Sequence, residues 1–362
     1  MNILFDGVFN AEPKSGVHKY FYNLIKYLPH EYKKFSSTSV SQPGLPNHFI
    51  PFLKHFRPHR LSCLLEYLWF TNKCQSTQFN LVHSAFYNLS KSCEILISNG
   101  IPHIITVHDL IHELFEEQKN EIVVRRTNIL QNAKAIIAVS NNTKNDLIKA
   151  YPSIDENKIF VIHHGINSNN SYSNSEITKE FSKPFLLQVG HREDYKNFDI
   201  LLPTLKRLQL KHDLDLVAVG PPKTSQEEIK ITELGLTQSV KVLTNISNKE
   251  LEKLYRKCTA LVYPSKYEGF GYPLIESMAN GAIPVAFKTS CIPEILGDAG
   301  LKIDSIDSHA LAAGIAKLIE NEEFKQSLKV KSINRIKYFP IVKMARMHIK
   351  LYNKVIKQKN LN

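Results

Sequence analysis

The chain has five cysteines in 362 residues, at positions 63, 74, 93, 258 and 291, and no two of them stand in CxxC spacing. An odd, scattered set excludes a disulfide framework and a zinc site built on paired cysteines, and it fits a reducing compartment. No apolar run comes near the roughly 20 residues that span a bilayer. The N-terminus, MNILFDGVFN, lacks a basic start, a long apolar core and a small-residue cleavage site, so it does not read as a secretion signal. There is no GxGxxG, which leaves out the dinucleotide fingerprint. The D-x-D at Asp213-Leu214-Asp215 opens an apolar, strand-like run, away from loop ends, and reads as structural rather than as a metal site.

Acid is missing from the C-terminal end. Residues 325–362 hold eleven Lys or Arg and no Asp or Glu, against a net charge of +12 for the whole chain. The remainder is therefore close to neutral. The tail reads as helical, with Ile341, Met344, Met347, His348 and Leu351 at helical spacing. A basic helix is a solvated face, a surface for anionic lipid or a nucleic-acid patch. No nucleic-acid fold pattern accompanies the charge, so nucleic acid is not an expected partner. A second unusual stretch, residues 46–70, mixes aromatics with Lys54, His55, Arg57, His59 and Arg60. It reads either as an interfacial surface or as one loop and one core helix.

Composition is otherwise ordinary for a globular enzyme, at 43% apolar and 22% charged, and the length suggests two domains. Short apolar runs alternate with helical patterns in both halves. In the first half, strands are expected near 2–5, 80–83, 103–107, 135–139 and 160–163. In the second they are expected near 185–189, 214–219, 240–243, 261–263 and 283–287. Val17, Tyr20, Phe21, Leu24 and Leu28 form the first helical face, with Ser15-Gly16 just before it, either as a phosphate approach or as an ordinary cap. Ser140, the pair Ser247 and Glu250, and Asp307 or Ser308 read as helix caps. The Asn- and Ser-rich segment 167–179 reads as a linker. Alternation twice over implies two parallel, doubly wound sheets with a site in the cleft between them.

The centre of the chain is residues 261–286, LVYPSKYEGFGYPLIESMANGAIPVA. A strand gives way to a loop, Glu268 and a Gly269-Phe270-Gly271 turn. A helix is expected from Pro273, with Glu276 in its first turn. Backbone N–H groups and a positive helix end suit an anion, and the flanking carboxylates suit hydroxyls. A sugar nucleotide combines both. His108 ends a strand at its carboxyl end, where ligands bind in such sheets. Arg192 and Lys196 lie on the loop after the strand that opens the second half, placed to neutralise a diphosphate.

GHREDYKNFDILL, followed by YPSKYEGFGYPLIESMANGAIPVAFKTSCIPEILGDAG, resembles the retaining, GT-B-type glycosyltransferases of family 4. Their E-x7-E spacing is here Glu268 and Glu276. The resemblance covers nearly the whole chain and is strongest over 185–304. It implies an α/β GT-B fold of two Rossmann-like domains facing each other across a cleft. Residues 1–170 would bind the acceptor and residues 180–340 the nucleotide sugar, with 341–362 a helix crossing back to the first domain. It also implies that Arg192 and Lys196 hold the donor diphosphate, that Glu276 accepts the ribose hydroxyls and that Glu268 contacts the donor sugar. The backbone of Gly269, Phe270, Gly271 and Tyr272 would line sugar and phosphate, His108 would face the sugar, and Gly16 would let the first loop approach the phosphates. No metal or other cofactor is implied. The flavour of VGHREDYKNF resembles transferases of bacterial O-antigen or capsule assembly, several of which use GDP-mannose. The expected acceptor is an undecaprenyl-diphosphate-linked sugar, which sets a cytoplasmic enzyme resting on the inner leaflet of the membrane. A different donor (UDP- or dTDP-sugar), an epimerase or phosphorylase on the same fold, and a non-catalytic binder stand as alternatives.

Overall fold

A computed structural model describes residues 1–6, 15–36, 78–85, 89, 91–115, 120–167, 181–192 and 194–359. The aromatic, basic stretch at 46–70, nearly all of the linker at 167–179, Cys63 and Cys74 lie outside those residues. The chain divides into two compact units, Met1–Gly165 together with Ile341–Asn362, and Ile166–Pro340.

In chain order the first unit contains β1 (Asn2–Phe5), α1 (Gly16–Tyr27), β2 (Lys33–Ser36), β3 (Leu81–Ser84), α2 (Lys91–Ser98), β4 (His103–Val107), α3 (Ile111–Phe115), α4 (Asn120–Asn132), β5 (Ala135–Ala138), α5 (Asn141–Ala150) and β6 (Ile159–Val161). Its described strands form one sheet in the order β2-β1-β3-β4-β5-β6, all paired in parallel. β3, β4 and β5 are buried along their whole length. That is why β5 (AIIA) reads as a continuous apolar run rather than an alternating one, and why the His and Thr of β3 and β4 are buried with hydrogen-bond partners. Ser15 caps α1, accepting the His18 N–H at 3.1 Å. Ser140 caps α5 in the same way, from Thr143 at 3.0 Å. Each hydroxyl takes up an N–H that the helix itself leaves unpaired.

The second unit contains β7 (Phe185–Val189), α6 (Leu201–Leu208), β8 (Asp215–Val219), α7 (Ser225–Glu233), β9 (Val240–Leu243), α8 (Asn248–Lys257), β10 (Ala260–Tyr263), α9 (Tyr272–Ala279), β11 (Pro284–Phe287), α10 (Ile292–Leu296), β12 (Leu301–Ile303), α11 (Ser308–Glu320) and α12 (Glu322–Ile336). The sheet order is β12-β11-β10-β7-β8-β9, again parallel throughout. Its core joins Leu201, Leu202 and Leu205 of α6 to Leu216 of β8, Val262 of β10 and Ile315 of α11. Ser247 and Glu250 form the expected capping box on α8, and Asp307 caps α11. The D-x-D is structural, at the start of β8. Asp213 pairs with Lys183 at 2.6 Å, and the buried Asp215 pairs with Lys241 at 2.8 Å.

The tail is two helices rather than one. α12 ends at Ile336, and Pro340, which cannot extend a helix from within, separates it from α13 (Ile341–Lys359). α13 belongs to the first unit and packs on α1. Ile341, Met344, His348 and Leu351 are buried as their spacing requires, whereas Met347 is 38% exposed, on the solvent side of the helix. The face turned away from the buried one lines an open groove of about 500 Å³ with Arg346, Ile349, Lys350, Asn353, Lys354 and Lys357.

A buried polar circuit fixes α13 to the first sheet. The His348 Nδ1–H donates to the Met344 carbonyl at 2.8 Å, so Nε2 must accept, and the Tyr20 hydroxyl lies 2.5 Å from it. One proton assignment then satisfies every contact. Tyr352 donates to His83 Nδ1 at 2.7 Å, and His83 Nε2 donates to Thr106 Oγ1 at 2.8 Å. Thr106 donates to Tyr20 at 3.2 Å, and Tyr20 donates to His348. The path leaves α13 at Tyr352, crosses β3, β4 and α1, and returns to α13.

Candidate active site in the second unit

In the second sheet the chain runs outward from β7 through β8 to β9, then restarts on the other side with β10. The reversal places a crevice outside the carboxyl ends of β7 and β10, the position where open α/β sheets bind ligands. The loop after β7 carries Arg192 and Lys196, and the loop after β10 carries Glu268.

Lys196 ends a short 3-10 turn, Asp194–Lys196, and its Nζ lies 2.6 Å from Glu268 Oε1. The pair joins the two loops. Its side chains are 19% and 8% exposed, so solvent screens it little. Tyr195 and Tyr263 present their rings to the ammonium at 5.0 and 5.8 Å. Burial, followed by the Glu268 carboxylate, pushes the Tyr263 phenol well above its ordinary value, so it stays protonated. The Glu268 N–H donates to Ser290 Oγ at 2.9 Å, which ties the loop to the one after β11.

Gly271 stands before α9 at φ +80°, where a Cβ would come within 3.0 Å of Leu274. Both the backbone and the space require glycine there. α9 starts at Tyr272 with Pro273 as its second residue, one position earlier than expected from the proline. Glu276 therefore falls in the second turn rather than the first. It is 7% exposed, and the Tyr255 hydroxyl of α8 donates to its Oε2 at 3.1 Å. Phe270 and Tyr272 turn their side chains inward, Phe270 against Phe339 at 5.9 Å. What these residues offer outward is backbone.

Arg192, expected beside the donor diphosphate, is not open to solvent. Its side chain is only 4% exposed, and its Nε donates to Glu227 Oε1 at 2.7 Å. Its Nη2 donates to Glu227 Oε2 at 3.1 Å and to the carbonyls of Pro221 and Pro222 at 2.9 and 2.8 Å. An arginine left alone on a loop would lose its charge-assisted bonds to water on burial, and Glu227 replaces them. Nη1 is buried with no hydrogen-bond partner.

In the first unit, His108 follows β4. Its ring meets Tyr20 edge-on at 5.0 Å and His164 at 5.5 Å. Burial pushes its pKa down to about 3, so the imidazole is neutral, and its Nε2 has no hydrogen-bond partner. Gly16 is the first residue of α1, and a Cβ placed there meets nothing within 4 Å. Among the described residues no three His, Cys, Asp or Glu side chains converge as a metal site would need. Among them no helix is long and apolar enough to cross a membrane.

Three positions that bear on the site were not singled out from sequence: Glu227, Tyr255 and Ser290. Only Glu227 carries a local signal, the T-x-x-E capping pattern from Thr224.

Two family models divide the chain between them. "Glycosyltransferase Family 4" matches residues 14–170 and "Glycosyl transferases group 1" matches residues 173–335. The chain belongs to the group 1 glycosyltransferases, with the GT-B fold. An uncharacterized glycosyltransferase of Methanocaldococcus jannaschii is 29% identical over 86% of this chain and 87% of its own. The O-antigen chain mannosyltransferase RfbU of Salmonella typhimurium is 27% identical over 59% of this chain and 60% of its own. Among solved structures, sucrose-phosphate synthase from Thermosynechococcus elongatus superposes with a TM-score of 0.78, at 18% identity, over 99% of this chain and 100% of that one. Anabaena HepE in complex with UDP and glucose gives 0.76, also at 18% identity, over 97% and 99%.

Proposed function

We propose that this glycosyltransferase moves a hexose from a nucleotide sugar, best GDP-mannose, to a lipid-linked sugar in bacterial surface-polysaccharide assembly, with retention of anomeric configuration. The observation that carries the reading is the Lys196–Glu268 pair, which bridges the carboxyl ends of β7 and β10 at 2.6 Å. A donor entering there separates the pair into two useful groups. The ammonium meets the diphosphate, and the carboxylate meets the sugar hydroxyls. Glu276 takes the ribose hydroxyls, with Tyr255 holding its other side. The backbone of Gly269, Phe270, Gly271 and Tyr272 lines the sugar. The family resemblance adds His108 and Gly16, both in the first unit, as candidate donor contacts.

In the step itself, the bond between the anomeric carbon and the diphosphate oxygen breaks. The acceptor oxygen bonds to the same face, and its proton passes to the departing phosphate. Lys196 and Nη1 of Arg192 offset the charge that grows on the leaving group, a role that needs no metal ion. The mannosyl preference is supported by relatives such as RfbU, an O-antigen chain mannosyltransferase. UDP- or dTDP-sugars and an epimerase are the competing readings. The acceptor's lipid brings the enzyme to the inner leaflet, and the cationic face of α13 supplies an attraction to it.

A thermal-shift screen over nucleoside diphosphates and sugar nucleotides tests the donor, because a ligand of the folded state raises the melting temperature by mass action. Stabilisation by GDP and GDP-mannose above the other nucleotides is expected. No response to any nucleotide would overturn the reading. Turnover of donor without an acceptor would favour the epimerase, and a product of inverted configuration would overturn front-face attack.

A further inference from the structure

Arg192 is built differently from Lys196, its partner cation on the same loop. Lys196 meets one carboxylate through a flexible stem. Arg192 is clamped: its Nε and Nη2 are occupied by Glu227 and by two carbonyls, and its guanidinium stands over the Phe198 ring at 5.5 Å. The remaining edge, Nη1, is buried without a partner beside the carboxyl end of β8. Gly220 makes room for it. A Cβ at that position would lie 2.4 Å from the Gly190 carbonyl oxygen and 3.4 Å from Nη1.

Glu227 is itself held from the other side. It is the N3 residue of the α7 capping box, where Thr224 N–H donates to its Oε2 at 2.8 Å and Thr224 Oγ1 accepts its own N–H at 3.2 Å. Burial alone would raise the Glu227 carboxyl. The hydrogen bond from Arg192 and that from Thr224 overcome it and hold the group below its usual range, so Glu227 is an anion. The start of a helix thus fixes a carboxylate, and the carboxylate fixes a guanidinium.

We propose that Glu227 is a positioning residue for the donor diphosphate: it occupies the Nε and Nη2 edge of Arg192 and leaves Nη1 as the face presented to phosphate. This rests on reading the site as one for a nucleoside diphosphate sugar. It assigns the two cations different tasks. Arg192 offers a fixed, directional contact whose charge is already balanced, whereas Lys196 supplies a charge that changes partner.

Calorimetric titration of the full chain with nucleoside diphosphates and the matching monophosphates tests this. Wild type is expected to prefer the diphosphate. Glu227→Ala should weaken the diphosphate about tenfold, the worth of one charge-assisted hydrogen bond, and leave the monophosphate within about twofold. Glu227→Gln, which keeps an acceptor for Nε, should recover part of the loss. Thr224→Ala removes the cap hydroxyl but not the partner of Arg192, and should lower the melting temperature without changing the diphosphate preference. In an Arg192→Ala background, Glu227→Ala should have no further effect on that preference. Equal weakening of both nucleotides, or a Glu227→Ala variant that behaves as Thr224→Ala does, would make Glu227 a helix cap and nothing more. A wild-type chain with no preference for the diphosphate would instead remove the underlying reading of the site.

Discussion

Acid should unfold the first unit before the second, because the first unit stores neutral histidines. Burial pushes His103 and His348 down to about 4 and His108 to about 3, and it lowers His83 and His164 well below the ordinary value. All five lie in the first unit. A histidine whose pKa is lower in the folded chain stabilises the fold fully above about pH 6.5. That contribution is lost as pH falls from there toward the folded value, because the unfolded chain takes up the proton first. The loss is about 1.4 kcal/mol per pH unit for each group. Between pH 6.5 and 5 it comes to about 2 kcal/mol for each of His103, His348 and His108, whose folded values all lie below that window. These three alone approach 6 kcal/mol, comparable with the whole stability of many domains. For a unit of this size that corresponds to a fall of about 12–24 °C in melting temperature. Circular-dichroism melts at pH 7, 6 and 5, with limited proteolysis to assign each transition, should show the first unit moving down by that amount and the second staying in place. A first-unit transition that shifts by less than about 5 °C would refute the reading that these buried histidines are neutral.

Lys196→Ala should lower turnover about a hundredfold, as loss of one preorganised donor does elsewhere, while the melting temperature changes little. Equal turnover would remove Lys196 from the chemistry. Tyr255→Phe deletes the hydroxyl that meets Glu276 at 3.1 Å. It should cost about 1 kcal/mol in urea unfolding and weaken diphosphate and monophosphate nucleotides alike. Lys350→Gln and Lys357→Gln should each reduce partition onto anionic vesicles about fivefold at low salt, with no effect on transfer to a short, soluble acceptor.

Much of the fold was legible because its signals are local. The strands of the second unit, the Ser247–Glu250 box and the Ser140 cap each lie within a few consecutive residues. β2, with the sequence KKFS, and the three-residue β12 carry too little apolar pattern to be seen. The site divides in the same way. Glu268, Glu276 and Lys196 announce themselves through short motifs. The partners that determine their state do not, because they are distant in sequence. Glu227 is 35 residues from Arg192, and Tyr255 is 21 from Glu276. Tyr20 and His348, 328 residues apart, share a hydrogen bond that no spacing rule could indicate. Arg192 shows the consequence: residue type and loop position indicated a cation for the diphosphate, and only the fold shows the carboxylate on a remote helix that fixes it.

The connectivity of the two units also orders the protein's birth on the ribosome. The second unit is a single uninterrupted segment, entered at Ile166 and left at Pro340, and those two residues are bridged to each other. It can close its core while the last helix is still being made. The first unit cannot, although most of it is synthesised earlier. The pocket between β3, β4 and α1 that receives Tyr352 and His348 must wait for α13. Until then Tyr20, Thr106 and His83 hold an unfinished hydrogen-bond circuit. A chain cut before α13 would keep all of the second unit and leave the first without its closing piece.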